Sequence, residues 1–411
     1  MVNNLFIEIY IWIIFFYPTF WGYTLASGNS FGQLILNLSV IAFVLIVVLL
    51  KHLRIILPKS YFILFFLQAL SYTITLAYNL FDTDSPISFK DYTDIIRPFF
   101  YIIAISVPFI FKFRLPQLSK ILRTIILACL STLIFDIIKF FSFGIPLMKL
   151  YTGLESGTFN YIRFSGTFAY CYNFGFIILF LLYEGCIQYK HKIIWGFTCL
   201  TIIILTGSRS CLLALSIGII YFIFSNKVTS ANKIKYILMT FLVSATILLV
   251  LSLFDLPIIN DIFNNYDKLL SSLSSGVASD GSLMTRNSQL ERVMSSLNKH
   301  LLLGIGPMKT QQPIEIQIGY YLSSWGLIGT TIFLLIISSA AYFAFKSSMN
   351  SCRVIRQFSR ANLLWICSSF IIGLSTPITD QARVFQLFYL IQGIQYYIYL
   401  QTRKELNSFT K

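Results

Sequence analysis

Six arginines stand where a chain could grip an anion: Arg97, Arg163, Arg209, Arg286, Arg292 and Arg383. A guanidinium is planar, stays charged at any relevant pH and offers paired N–H donors, so it suits bidentate binding of phosphate. Four of the six (Arg97, Arg163, Arg209 and Arg383) fall at or near the ends of apolar runs. An arginine at the mouth of such a run needs a partner. Several of them converging at one face would hold an anionic ligand there. Arg97 and Arg383 carry a second reading. They follow Asp94 and Asp380 by three residues, a spacing that pairs charges on a helix. Asp136 and Lys139 share that spacing inside an apolar run and neutralise each other. Glu8 and Glu184 lie near the ends of apolar runs and receive no role.

The elements that must position these groups are membrane helices. The chain has 411 residues, 56% hydrophobic and 11% charged, with mean hydropathy +0.75. A soluble globular chain carries about 25% charged residues, so there is too little charge here to cover a water-facing surface. A bilayer core needs about 20 apolar residues per helix, and such runs recur throughout. They are continuous, as in Ile41 to Leu50, rather than alternating, which favours helices over a closed barrel. The expected fold class is an all-α integral membrane protein of about a dozen spans with a long, partly helical outer loop. The spans fall near 4–21, 32–50, 60–79, 95–111, 121–141, 165–186, 192–206, 209–225, 234–253, 315–345, 361–376 and 384–401. The span from 192 is short, and the stretch from 315 is long enough to begin outside the membrane. The first span has no basic residue ahead of it and no small-residue cleavage site behind it, so it reads as a retained helix. Seven cysteines are scattered without a C-x-x-C pair and read as small buried hydrophobes.

Charge sets the expected orientation. The majority of the 31 basic residues collect in alternate connections, among them Lys51, Arg114, Lys190, Lys235, Arg353 and Lys404. The opposite connections hold most of the acids, including Asp82, Asp91, Glu155, Asp261 and Asp280. The positive-inside rule puts the basic side, and both termini, in the cytoplasm. Topology and anionic headgroups then account for much of the net charge of +15, and nucleic acid is not needed as a partner. Three sections follow: residues 1–253 with nine spans, an outer loop over 254–314, and residues 315–411 with three spans and a cytoplasmic tail. The loop begins Ser-rich and then turns helical, with Leu290, Val293, Met294 and Leu297 spaced as one helix face. A long loop with its own helix usually has a task.

Three segments, in order, resemble the O-antigen polymerase and ligase family. Thr206-Gly207-Ser208-Arg209-Ser210 looks like the family's T-x-S-R signature, in which the arginine opens a membrane helix. Arg286, an amphipathic helix and Leu303-Gly304-Ile305-Gly306-Pro307 are similar to its outer-loop pattern of arginine, helix and G-x-G turn. Glu315 through Leu322, leading to Trp325-Gly326-Leu327-Ile328-Gly329, resembles the stretch that ends in an aromatic and G-L-x-G. Arg163-Phe164-Ser165-Gly166-Thr167-Phe168 is a weaker fourth match. The resemblance covers roughly 160 to 345. Family ligases carry a histidine eleven positions before the first glycine of the last motif, where this chain has Glu315. An acid there looks more like a polymerase than a ligase.

The resemblance implies a glycosyltransferase of the bacterial cytoplasmic (inner) membrane. It would join polyprenyl-pyrophosphate-linked oligosaccharide repeats at the outer face with inversion, toward O-antigen or another surface glycan. Arg209 and Arg286 would stabilise the departing pyrophosphate, with Arg163, Arg97, Arg292 and Arg383 binding substrate. Glu315 would be the general base. Tyr320 and Tyr321 would stack on sugars or serve as interface aromatics. His52 and His191 fall in cytoplasmic connections, which leaves His300 as the histidine able to reach an outer site. No metal and no other cofactor is expected. Partners would be the lipid-linked donor and acceptor, membrane lipids and a chain-length regulator. A ligase, or a flippase of the same lipid-linked sugar, are the competing functions; a flippase would place its charges nearer the bilayer midplane. A purely structural scaffold is the third, and leaves the outer arginines unexplained.

Overall fold

The computed structural model describes residues 2–19, 30–80, 89–139, 141, 143–151, 163–168, 170–188, 192–224, 238, 267, 271, 281–307 and 314–409. The expected span at 234–253 and most of the Ser-rich stretch lie outside them. Among the described residues the regular elements are all helical. They are α1 (Val2–Phe16), α2 (Ser30–Leu50), α3 (Lys59–Asn79), α4 (Thr93–Ile110), α5 (Leu118–Ile138), the short α6 (Gly144–Lys149), α7 (Cys171–Gln188), α8 (Lys192–Leu205) and α9 (Arg209–Phe224). Helix α10 (Gly281–Lys299), in the section expected as the outer loop, comes next, then α11 (Gln317–Ser347), α12 (Arg353–Gly373) and α13 (Ala382–Phe409).

By length and composition, four helical stretches can cross a membrane: Lys59–Asn79, Thr93–Ile110, Leu115–Ile138 and Gln317–Ser347. Shorter apolar helices occupy α1, α2, α7, α8 and α9. The exterior is apolar as well: Leu49, Ile63, Phe66, Leu127, Ile134 and Leu335 are all exposed. A water-soluble monomer rarely shows so wide an apolar surface, and this chain is a multi-pass membrane protein.

α13 lies at the centre, packed against α4, α11 and α1. It carries polar residues that its neighbours satisfy. Asn362 of α12 and Gln392 exchange two hydrogen bonds, at 3.0 and 2.9 Å. Gln386 accepts from Tyr10 of α1 at 2.5 Å and donates to Asn37 of α2 at 3.2 Å. Such pairs hold helices together where hydrophobicity cannot discriminate between protein and lipid.

α11 is broken. Gly326 has φ 62° and ψ −164°, a conformation essentially restricted to glycine. In a continuous helix Leu327 and Ile328 would donate to Ser323 and Ser324. Instead the 301–306 segment enters the break and takes over all four groups. Ile305 donates to the Ser323 carbonyl at 2.8 Å and Gly306 to that of Ser324 at 3.0 Å. Leu327 donates to Leu301 at 3.0 Å and Ile328 to Leu302 at 3.2 Å. The two remaining carbonyls of the turn are met from α3: Thr75 Oγ1 donates to Leu303 at 2.8 Å and Asn79 Nδ2 to Gly304 at 3.1 Å. Irregular backbone among membrane helices is tolerated only when every polar group is met in this way. Thr75→Val should therefore cost about 1 kcal/mol, the net worth of one hydrogen bond, read as a lowered thermal midpoint in detergent. An unchanged midpoint would mean that the Leu303 carbonyl finds another donor.

Helix α10 forms where the spacing of Leu290, Val293, Met294 and Leu297 placed it, with a shifted packed face. Gln289, Val293 and Ser296 are buried, whereas Leu290 and Met294 are exposed. The reason is its neighbour: α10 packs on the start of α11, where Val293 sits over Gly319.

Candidate active site

The site lies at the end of the bundle where α4, α7, α9, α11 and α13 begin. Its floor is the 163–168 segment; residues 165–168 begin the expected span 165–186 but form a loop. Asp136, buried on α5, organises it. One carboxylate oxygen takes the Ser165 N–H at 3.0 Å and Lys139 Nζ at 2.9 Å; the other takes the Gly166 N–H at 2.8 Å. Lys139 also donates to the Arg163 carbonyl at 2.5 Å. The i, i+3 pair thus neutralises itself and holds a loop as well. Phe164 N donates to Leu205 at 3.1 Å, which draws the loop against the Thr206–Ser210 turn.

Arg163 is buried, and its Nη1 donates to the Gly207 carbonyl at 3.3 Å. Gly207 has φ 60°, and a β-carbon there would stand 3.0 Å from Arg163 Cδ and Nε. This glycine lets the guanidinium lie against the turn. Ser208 then caps α9, its hydroxyl accepting from Cys211 N at 3.3 Å. Arg209 opens α9, half-buried, at the positive end of the helix dipole, where an anion is favoured.

Glu315 is exposed, just ahead of α11. Its N–H donates to Gln289 Oε1 of α10 at 3.0 Å. Arg286 lies one turn before Gln289 on the same helix face, and its Nε is buried without a hydrogen-bond partner. Burial, and after it the Glu315 charge, push the Tyr170 phenol up. Tyr170 stacks on Tyr172 with centroids 5.1 Å apart. Tyr172 bonds through its hydroxyl to Thr376, and its carbonyl receives the Cys211 thiol at 3.5 Å. Arg163 and Arg209 thus stand at the Thr206–Ser210 turn, Arg286 and Glu315 at either side of Gln289, and Glu315 lies within electrostatic reach of Tyr170. The sequence reading did not single out Tyr170, Tyr172, Thr376 or Gln289. Only Gln289, at i+3 from Arg286, carried a spacing that could have marked it.

The other candidates stand elsewhere. Arg97 lies in a carboxylate cage, 2.7 Å from Asp94 and 3.8 Å from Asp380. Tyr320 donates to Asp94 at 3.0 Å; Tyr321 and Tyr101 donate to Asp380 at 3.0 and 2.9 Å. Tyr321 is 1% exposed and stacks on Phe333 at 4.0 Å. This cluster adjoins the site through the 374–381 turn, where Thr376 meets Tyr172 and Thr379 meets Gln317. Arg383 does not pair with Asp380, because Gln381 between them is extended and the two are not on one helix. It binds the carbonyls of Ile14, Phe15 and Tyr17 at the C-terminus of α1, a site favourable to a cation. Arg292 points along another side of α10, its Nε donating to Ser288 at 3.3 Å. The His300 ring packs edge-on to Tyr78 at 5.6 Å. At 1.5 Å per residue it lies about 20 Å along α10 from Arg286.

Fold and site together describe a multi-pass membrane protein with arginines and a carboxylate gathered at one end of its bundle. Residues 195–332 match the family model described as O-antigen ligase. That segment contains the Thr206–Ser210 turn, α10, the 301–306 turn and the broken start of α11, and the match supports the resemblance to the O-antigen polymerase and ligase family. The match supports a function of that type, in surface polysaccharide assembly. Comparison with curated proteins finds no match.

Proposed function

We propose that this protein is a polymerase of lipid-linked oligosaccharide repeats, working by glycosyl transfer at the outer face of the cytoplasmic membrane. The observation that carries this reading is the seating of Arg163 on the turn that opens α9 at Arg209, together with Gln289, one turn from Arg286 on α10, holding the backbone of Glu315. An acceptor hydroxyl oxygen attacks the anomeric carbon of the donor sugar. Its proton passes to the Glu315 carboxylate. The bond from the anomeric carbon to the pyrophosphate breaks, and its electron pair stays on the pyrophosphate oxygen. The arginines stabilise that charge, and direct displacement inverts the anomeric centre. Metal-free catalysis follows if the guanidinium groups suffice as the counter-charge. The Arg97–Asp94–Asp380 cluster supports the site from behind. The twelve-span topology, with both termini cytoplasmic, belongs to the same proposal and rests on the charge distribution.

The purified full-length protein, reconstituted in liposomes with a lipid-linked repeat unit from its host, tests this. A ladder of lengthening products is expected. A single transfer of glycan to an added lipid core would replace polymerase by ligase. Movement of the lipid-linked sugar across the bilayer with no new glycosidic bond would sink the enzymatic reading. A finer test is Gln289→Ala, which removes the acceptor holding the Glu315 N–H. We expect elongation about fivefold slower, the equivalent of one hydrogen bond, with a thermal midpoint lowered no more than in Thr75→Val. Full activity would mean that Gln289 does not position Glu315.

A further inference from the structure

α4, α11 and α13 begin beside the site and end together at the opposite end of the bundle, around a cleft of about 920 Å³. Its cations are Arg114, in the turn after α4, and Lys346, in the last turn of α11. Both are exposed, and neither forms an ion pair among the described residues. Lys346 Nζ lies 5.8 Å over the Tyr342 ring, which orients it. Asn350 and Thr402 add polar groups, while Phe113, Ile355 and Tyr397 make an apolar wall. The local balance is strongly positive: Lys112, Arg353 and Arg356 stand on the same segments. Two polar atoms beside the cleft are also unmet. Arg356 Nη1 reaches the Asn350 carbonyl at 3.3 Å, but its Nε is buried without a partner, as is Ser347 Oγ.

Cationic groups, spare donors and an apolar wall in one cleft call for a phosphate that carries hydrocarbon. The cleft adjoins outward-facing Phe345 and Met349, so it is continuous with the lipid-exposed surface. We propose that it is a binding site for the headgroup of an anionic phospholipid. The phosphate sits between Arg114 and Lys346, and the first methylenes lie along Phe113 and Tyr397. So placed, the lipid ties together the far ends of three helices whose near ends frame the site. This site is independent of the glycosyl-transfer reading.

Two readouts on the full-length protein in detergent test it. Native mass spectrometry in mixed micelles would count retained phosphatidylglycerol and phosphatidylcholine. Preferential retention of phosphatidylglycerol is expected. Retention should weaken roughly fivefold for each charge removed in R114Q/K346Q and persist in R114K/K346R. Cys352 is exposed and lines the cleft, so its maleimide labelling gives a second readout, with C352S identifying the thiol. Phosphatidylglycerol should slow that labelling and phosphatidylcholine should not. Equal retention of the two lipids, or unchanged retention in R114Q/K346Q, would overturn the proposal. Protection of Cys352 by millimolar inorganic phosphate as good as that by phosphatidylglycerol would overturn the lipid as its source.

Discussion

Arg209→Ala should lower the elongation rate by about 10²–10³-fold, the usual loss when one preorganised donor to a developing charge is removed. Arg209 opens α9 directly after the Gly207 turn that also seats Arg163, so two arginines and a helix N-terminus stand at one turn. On the proposed mechanism the charge on the leaving pyrophosphate grows only as the anomeric bond breaks. The loss should therefore fall on kcat and leave KM little changed. Arg209→Lys keeps the charge but not the planar fork, and should recover only part of the rate. Glu315→Gln serves as the partner measurement, with an expected loss of about 10²–10⁴-fold for a positioned base. A variant that only raised KM would make Arg209 a ground-state binder. Full activity of Glu315→Gln would assign the proton to another acceptor.

The second large effect is structural. Gly326→Ala should cost well over 3 kcal/mol, because backbone strain and a steric clash act together. A β-carbon at Gly326 would lie 2.3 Å from the Leu302 carbonyl oxygen and 2.6 Å from Gly304 N. One at Gly304 would lie 2.5 Å from Gly326 N. The obstructing atoms are all backbone and already hydrogen-bonded, so they cannot yield. Gly306 provides the contrast: its φ is also positive, at 82°, but its nearest neighbour would be Leu76 Cδ2 at 3.6 Å. Gly306→Ala should cost only about 1 kcal/mol, the conformational penalty alone. Thermal midpoints in detergent should rank wild type, then Gly306→Ala, then Gly304→Ala and Gly326→Ala far below. If Gly326→Ala were as stable as Gly306→Ala, the close approach of the two backbones would not be what maintains the break.

That contact also explains why the glycine-rich turn and the aromatic-glycine stretch occur together in this chain. Each glycine makes room for the other's backbone. In the sequence they are two motifs some twenty positions apart, and nothing in either one specifies that it meets the other.

Residue type and spacing did decide a good deal. Continuous apolar runs can satisfy their backbone in lipid only as helices, so the class of fold was legible, and a helix lies in each expected span that falls within the described residues, although 165–168 form a loop. The i, i+3 spacings of Asp136 with Lys139 and of Asp94 with Arg97 placed those charges together, because a helix fixes such neighbours whatever surrounds it. The same spacing failed for Asp380 and Arg383, where an extended Gln381 separates them and the carbonyl ends of α1 compete for the guanidinium. The meeting of Arg163 with Gly207, the capture of Glu315 by Gln289, the Tyr170–Tyr172 pair and the second carboxylate on Arg97 all join residues far apart in the chain. Local pattern carries no information about which helix ends coincide in space. That is set by how α4, α7, α11 and α13 pack, and by the 301–306 turn completing the hydrogen bonds of a helix that a glycine had broken.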